Sequence, residues 1–518
     1  MRSIYDIHLD TITAGKSYWN SSIPLEEELM YFLLIDRFHD GADRKSITST
    51  TGFGDADALK ARCGGNIRGV IKNLSYIHEM GFTSIWINPF LQNNPESYHG
   101  YAIENFLEVD SQFGTKDDIV ELVAKAHELN MRVFFDVVLN HTGDNWSYIK
   151  NNPVYKNGNQ YATKAWRYDN LPIPSELRNF NRYSRKGRVV KWEETPETWD
   201  GDIFELKDLI EDDTDAGLKN LDLMVAIYSY WFALTDCDGF RIDTAKHIHH
   251  EWLDEFISQV KALAHSVGKK NFFVFAEIVG KRTLIEQYKC IDGYLDFEFY
   301  FNGVQTLSGR QTKDKVLIAA AEETCLPIRF LDNHDQIGQM PKHRIAYRMS
   351  EHASVNILRA FLLMPGIPCV YYGTEQGLKG RGRNDGAIRE CLFDSKGQSD
   401  LLSRYSSYWK TIQQFSGFRK DWQMFRGNVS ICSVEEPEKI HSIALQISSL
   451  GSKRYLIYNL TAYKEAVSIK LSPVITRNKK IVVYLYNEKP EVQVRIEEKG
   501  ISISMVPYGF VLFELIDP

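Results

Sequence analysis

The sequence lacks most of the features that would mark a membrane, nucleic-acid or disulfide-built protein. No apolar run in its 518 residues approaches the roughly 20 needed to span a bilayer. The opening stretch MRSIYDIHLDTITAG has no long apolar segment, so no secretory leader is expected. Cysteine is scarce and scattered: Cys63, Cys237, Cys290, Cys325, Cys369, Cys391 and Cys432. They form no CxxC or Cys/His metal spacing, and an odd number points away from a disulfide framework. These absences predict a reduced, cytoplasmic protein with no membrane partner. Surplus positive charge is missing too. Against 61 Lys and Arg stand 68 Asp and Glu, a net charge of −7, which argues against nucleic acid as a partner.

What is present is ordinary in bulk and specific in pattern. Hydrophobic residues at 43% and charged residues at 25% describe a globular chain several times the usual domain size. Aromatics reach 13%, enough for a large core and for sugar-stacking platforms if a cleft exists to hold them. Short apolar runs alternate with amphipathic stretches from residue 29 to about 415. LMYFLLID (29–36), SIWINP (84–89), RVFFDVV (132–138), GFRID (239–243), NFFVFAE (271–277), PIRFLD (327–332) and IPCVYYG (367–373) read as strands buried on both faces. An eighth fits IDGYLDFEF (291–299). Helical patterns such as KDDIVELVAKAHELN lie between them, which predicts a (β/α)8 barrel over residues 1–141 and 208–418. Residues 142–207 carry no helical period and are too long for a loop, so they predict a domain inserted after strand 3. From 419 to 518, short alternating strands predict an all-β sandwich.

In such a barrel the C-terminal ends of the strands build the active site. Those ends bring Asp136 with Asn140 and His141, then Arg241 and Asp243, then Glu277, then Asn333, His334 and Asp335. Arg241 lies two residues before Asp243, so both side chains share one face of the strand. A guanidinium there would hold Asp243 ionised, while a less solvated Glu277 beside other carboxylates would keep its proton. Glycoside hydrolysis asks for that division of labour: one carboxylate at the anomeric carbon, one acid under the leaving oxygen. Asp335 could offer charge to an oxocarbenium-like transition state, and His141 and His334 could bind sugar hydroxyls.

Four stretches, DVVLNH (136–141), GFRIDTAKH (239–247), FAEIVG (275–280) and FLDNHD (330–335), resemble in order the conserved regions of the alpha-amylase family, glycoside hydrolase family 13. YHGYAIENFLEVDSQFGT (98–115), IDRFHDG (35–41) and IPCVYYGTEQG (367–377) are also similar to its barrel. The resemblance implies Asp243 as nucleophile, Glu277 as general acid/base and Asp335 as transition-state stabiliser. It implies Arg241, His141, His334, His99 and Tyr101 around the sugar at the cleavage point, and Lys246 toward the leaving-group side. DGAIRE (385–390) makes Asp385 and Arg389 candidates for the next subsite.

The resemblance further implies a structural Ca²⁺ between barrel and insert, held by the Asn140 side chain, the His247 carbonyl and Asp208. LKDLI (206–210) departs from the family's Leu-Pro-Asp-Leu-Asn at Lys207 and Ile210, and the lysine sets positive charge beside the site. Thr244, Ala245 and Lys246 after the nucleophile are similar to members acting on α-1,4 glucans, so starch or maltooligosaccharides are the implied substrates. A 4-α-glucanotransferase or related transglycosylase is the alternative. A non-catalytic scaffold of this fold would have lost carboxylates that this chain keeps.

Overall fold

A computed structural model describes residues 1–517 apart from 55–59, 159, 168–170, 311–324, 336–342, 381–384, 433, 436–441, 461–466, 472–478, 487–492 and 498–499. Eight parallel strands close into a barrel in sequence order: β1 (Met30–Leu33), β2 (Ser84–Ile87), β3 (Arg132–Val137), β4 (Gly239–Ile242), β5 (Phe273–Ala276), β6 (Gly293–Leu295), β7 (Leu326–Phe330) and β8 (Ile367–Tyr371). Apart from Leu326, every residue of these strands is buried, because helices cover the outside and side chains fill the inside. That double burial explains why they read as continuous apolar runs. The expected eighth strand within 291–299 is β6, only three residues long.

Between strands the chain follows its caps. Thr115 accepts from the Asp118 amide while the Asp118 carboxylate accepts from the Thr115 amide, starting the helix Lys116–Glu128. Thr214 caps Asp215–Thr235 in the same side-chain manner. Gly239 opens β4, and a Cβ there would meet the Phe273 carbonyl oxygen at 1.8 Å. Only glycine lets β4 begin that close to β5. No helix among the described residues is long and apolar enough to cross a membrane.

After β3 the chain leaves the barrel and returns to nearly the same point. His141–Thr142 pairs antiparallel with Lys207–Asp208, closing the excursion at its neck. Within it, Trp146–Tyr148 pairs with Thr163–Trp166, and the Trp166 and Phe180 rings stack at 4.5 Å. An aromatic cluster with little regular structure explains why no period was visible in the sequence.

The C-terminal strands form two antiparallel sheets. One runs 428–431, 442–449, 452–459, 510–516, 480–486; the other runs 434–435, 467–471, 500–505, 493–497. Ala444, Tyr455, Ile457 and Phe513 from the first pack with Ile501, Ile503 and Met505 from the second, so the two sheets face each other across a core. The Tyr458 hydroxyl donates to the Leu307 carbonyl at 2.7 Å, tying this sandwich to the barrel.

One cysteine pair departs from the expectation of a wholly reduced chain. Cys63 and Cys391 form a disulfide across 328 residues, with Cα atoms 6.5 Å apart. Barrel closure brings the loop after β1 beside the loop after β8, a proximity that sequence spacing cannot announce. The other five cysteines form no disulfide.

Candidate active site

Asp136 and Arg241 are register partners on adjacent strands, and that places the first contact of the site. Arg241 is fully buried and its guanidinium reaches three carboxylates. Its Nη1 lies 2.8 Å from Asp136 Oδ1 and 2.6 Å from Asp243 Oδ1, and its Nη2 lies 2.9 Å from Glu277 Oε2. Asp136 also accepts from Trp86 Nε1 at 3.0 Å and from the Tyr101 hydroxyl at 2.9 Å. It is held by Arg241, Trp86 and Tyr101 together, and the sequence reading placed it among the strand-end acids without giving it a role. The signal was present, since Asp136 opens the DVVLNH stretch at the end of β3.

One cation cannot neutralise three buried acids, and the protonation pattern follows from that shortage. Asp243 was expected to be held ionised by Arg241. The pairing is present, but burial outweighs it and the neighbouring Asp335 adds to the rise, so its pKa lies above the usual carboxylate value. Glu277 rises further, to about 8, through burial and then through the charges of Asp243 and Asp335 against the pull of Arg241. Asp136 rises to about 7, mainly through burial. Asp335 alone moves down: although burial opposes it, His334 and Arg389 together overcome that cost. At neutral pH the proton of the cluster therefore resides foremost on Glu277.

Backbone geometry fixes the two central acids. The Asp243 amide donates to the Val137 carbonyl at 2.9 Å, and the Glu277 amide to the Ile242 carbonyl at 3.0 Å. Thr244 turns the chain sharply with a left-handed φ of 47°, and its amide donates to Glu277 Oε2 at 3.1 Å. A β-branched residue in that region is strained, and such strain gathers at functional sites. Glu277 Oε1 is buried without a hydrogen-bond partner among the described residues.

The remaining candidates surround this core. Tyr101 lies between two imidazoles, its ring centroid 5.7 Å from that of His99 and 5.5 Å from that of His334. Its hydroxyl also meets His334 Nε2 at 2.9 Å. His141 Nε2 stands 3.1 Å from the Tyr101 carbonyl. Burial lowers the pKa of His99 and His334 to about 3 and of His141 to about 4, so all three are neutral hydrogen-bonding groups. Arg389, a candidate for a neighbouring subsite, sits deeper: its Nη2 is 2.5 Å from Asp335 Oδ1 and its Nε donates to the His334 carbonyl at 2.7 Å. Asp385 lies outside that contact, 3.8 Å from Arg389 Nη2 and half exposed. Tyr98, which no sequence argument singled out, receives a bond from Arg389 Nη1 at 3.3 Å and carries Arg37 over its ring at 3.8 Å. Lys246 reaches out of the barrel to Glu193 of the insert, 2.6 Å away.

The oxygen set named for a cation also comes together. Asn140 Nδ2 is 2.9 Å from Asp208 Oδ1 and 3.1 Å from the His247 carbonyl oxygen, and all three residues are buried. Amide orientation is assigned from such contacts, and turning the Asn140 amide over would present its oxygen to the same point. His247 itself is turned away, its Nδ1 2.8 Å from the Thr198 carbonyl. Glu211, missed in the sequence, is 2% exposed beside the Asn140 side chain, and among the described residues neither carboxylate oxygen has a well-formed hydrogen bond. Its pKa and that of Asp208 are pushed well up by burial. Lys207 does not relieve them. Its Nζ is 2.8 Å from Asp144 and it lies over the Trp146 and Tyr148 rings. No group of three or more His, Cys, Asp or Glu able to hold a metal occurs among the described residues, so any ligand set here draws on the amide and carbonyl oxygens.

Comparison with known proteins gives one consistent answer. The family model for the alpha-amylase catalytic domain matches residues 32–449. An alpha-amylase of Schwanniomyces occidentalis is 28% identical over 443 residues, covering 79% of this chain and 78% of that protein. A cyclomaltodextrin glucanotransferase of Klebsiella oxytoca is 28% identical over 399 residues, 68% of this chain and 58% of that enzyme. The crystal structure of an alpha-amylase from Geobacillus thermoleovorans, complexed with acarbose, superposes with a TM-score of 0.70 at 24% identity, covering 96% of this chain and all of that one.

Proposed function

The chain belongs to the alpha-amylase family of retaining enzymes that cleave α-1,4 glucans, and from that premise we propose how its own residues divide the reaction. Asp243 attacks the anomeric carbon while Glu277 protonates the glycosidic oxygen, breaking the bond to the leaving sugar and forming a glycosyl ester on Asp243. Glu277, now a carboxylate, takes a proton from water as the water oxygen bonds to the same carbon, and the ester bond to Asp243 breaks. Arg241 holds both carboxyls on one guanidinium, an arrangement that suits the roughly 5 to 5.5 Å separation of retaining enzymes. Asp335, kept ionised by its ion pair with Arg389, faces the developing positive charge. His99, His141, His334 and Tyr101 seat the sugar through its hydroxyls and ring.

The observation that carries this reading is geometric: Arg241 Nη1 lies 2.6 Å from Asp243 Oδ1 and its Nη2 lies 2.9 Å from Glu277 Oε2, holding the two acids on one buried guanidinium. The test is turnover of maltoheptaose by wild type and by Asp243→Asn, with products followed by chromatography and their anomeric form by NMR. Loss of turnover in the variant and retained α-configuration in wild-type products are expected. Undiminished turnover in Asp243→Asn, or β-products, would overturn the assignment. Products longer than seven glucose units would support the second reading, transfer to a sugar, which the resemblance to a glucanotransferase favours.

A calcium ion fits the oxygen set of Asn140, Asp208 and the His247 carbonyl, and Glu211 supplies the second carboxylate that a hard cation prefers. Bound there, it would neutralise buried negative charge and fasten the neck of the insert to the loop after β4. It takes no part in the bond-breaking steps.

A further inference from the structure

The disulfide between Cys63 and Cys391 is joined to the reacting groups by side chains in unbroken contact. The wholly buried Arg37 guanidinium meets both sulfurs: its Nη1 donates to Cys63 Sγ and stands 3.5 Å from Cys391 Sγ. The same guanidinium lies 3.4 Å from the Asp36 carboxylate and sits over the Tyr98 ring at 3.8 Å. The Tyr98 hydroxyl in turn accepts from Arg389 Nη1 at 3.3 Å, and Arg389 Nη2 holds Asp335 at 2.5 Å.

The two sulfurs are not equally reachable. Cys391 is 3% exposed, whereas Cys63 is half-buried and precedes the exposed Gly64. A Cβ on Gly64 would meet no atom of the described residues within 4 Å, so a thiol arriving from solvent reaches Cys63 first. The backbone around Cys391 is secured by other means. Phe53 and Cys391 exchange backbone hydrogen bonds at 2.9 and 3.4 Å, and the Leu392 amide donates to the Arg37 carbonyl at 2.9 Å. The Tyr371 and Tyr372 hydroxyls donate to the Ile388 and Glu390 carbonyls on either side of Arg389. Opening the disulfide leaves these bonds in place. What it changes is the company of Arg37.

We propose that the Cys63–Cys391 disulfide is a redox-sensitive positioning element: a small dithiol opens it, and the change passes through Arg37 and Tyr98 to Arg389 and Asp335. One thiolate of the dithiol bonds to Cys63 Sγ as the Cys63–Cys391 bond breaks, and the electron pair leaves on Cys391 beside the Arg37 cation. The second sulfur of the dithiol then bonds to the first and expels Cys63. The dithiol is oxidised to its cyclic disulfide and the protein disulfide is reduced. Cys63 takes up one of the two protons the dithiol gives, and the other goes to solvent while Cys391 stays a thiolate against Arg37. A guanidinium beside the leaving sulfur favours that thiolate. Arg37, drawn onto the new anion, moves from its place over Tyr98, and Arg389 loses the hydroxyl that braces it against Asp335. This inference rests on the role given to Asp335 in the reaction proposed above.

The test follows maltoheptaose turnover in enzyme oxidised with glutathione disulfide, after excess dithiothreitol, and after reoxidation, with thiols counted in each state. Turnover by the oxidised wild type checks the underlying reaction by itself. With a gain of two thiols, kcat is expected to fall about tenfold, the scale of one charge-assisted hydrogen bond, while KM stays within about twofold. Reoxidation is expected to restore the rate. Cys63→Ser, which leaves Cys391 beside Arg37, is expected to work at the reduced rate and to ignore dithiothreitol. Tyr98→Phe keeps a ring under Arg37 but cannot accept from Arg389, so it is expected to gain two thiols with no change in kcat. An unchanged wild-type kcat on reduction, a Tyr98→Phe response as large as that of wild type, or no gain of thiols in the folded enzyme would overturn the coupling while leaving the reaction standing. Thermal unfolding of both redox states completes the test: a reduced enzyme already unfolded at the assay temperature would make the bond merely structural and overturn the relay.

Discussion

Arg241 and Asp136 face each other in register on neighbouring parallel strands, 2.8 Å apart, with Arg241 wholly enclosed. Asp243 and Glu277 are then bound to a guanidinium already anchored to the barrel wall. Replacing Arg241 leaves three buried acids without a cation. Arg241→Ala is expected to lose activity and about 3–5 kcal/mol of stability, measured by urea unfolding alongside kcat/KM. Arg241→Lys keeps the charge but not the planar fork, so it is expected to rescue part of the stability and little of the activity.

The pH profile of kcat/KM is expected to be a bell. Its alkaline limb sits near pH 8, where Glu277 surrenders the proton it must give to the leaving oxygen, and the rate falls tenfold per unit beyond it. Its acid limb lies above the ordinary carboxylate value of 3.8, because Asp243 is raised. Initial rates between pH 3 and 10 check both limbs.

Stability carries the same signature with a definite sign. Glu277 is raised in the folded enzyme from 4.5 to about 8, so its contribution is full below 4.5 and is lost as pH rises through about 8. Glu277→Gln removes that dependence. The melting temperature of the variant, relative to wild type, is expected to climb between pH 4.5 and 8 and to level off above, as thermal scans at pH 4, 6, 7 and 9 would register.

At the neck of the insert, calcium is expected to raise the melting temperature and chelation to reverse it. A ligand at a hundred times its Kd stabilises by about 2.7 kcal/mol. Glu211→Gln is expected to shrink the calcium-dependent rise, yet to melt higher than wild type in chelator, because it removes one of the crowded buried carboxylates. A Glu211→Gln melt below wild type in chelator would contradict the account of that charge cluster.

Thiol counting addresses the cysteines. In denaturant without reductant five thiols are expected to react, and seven after reduction, since only Cys63 and Cys391 are paired. Seven without reductant would return the chain to the fully reduced state that its sequence predicts.

The sequence speaks clearly where function depends on local pattern. Strands buried on both faces announce themselves as apolar runs, which is why β1 to β5, β7 and β8 and their terminal acids were legible. Asp243 and Glu277 could be named because each ends such a run, and Asp335 because it closes the FLDNHD stretch just beyond another. Quantities that depend on sharing were not legible. That Arg241 serves three acids at once, and so leaves Asp243 raised, depends on the register between strands more than 100 residues apart. Arg389 reads as a partner of Asp385 in a neighbouring subsite until the loop after β8 folds it onto Asp335. Glu211 lies in a run of acids, LIEDDTD, that would ordinarily be solvated; only its burial distinguishes it from Asp212 and Asp213. Lys207 shows the reverse: by sequence it sets positive charge beside the cation position, and in the fold that charge is spent on Asp144 and two aromatic rings.

The two-residue ribbon of His141–Thr142 against Lys207–Asp208 makes the insert a cassette with one hinge pin. The body of the insert also touches the barrel, through Glu193 to Lys246, the Thr198 carbonyl to His247 and the Ile173 amide to the Glu104 carbonyl. The pin carries more than these contacts do. One of its strands begins with a histidine of the sugar site and the other ends with an aspartate of the cation site, so tilting it displaces both together. Evolution can retune the walls of the cleft through the body of the cassette, while the pin sets how far the two sites can drift apart.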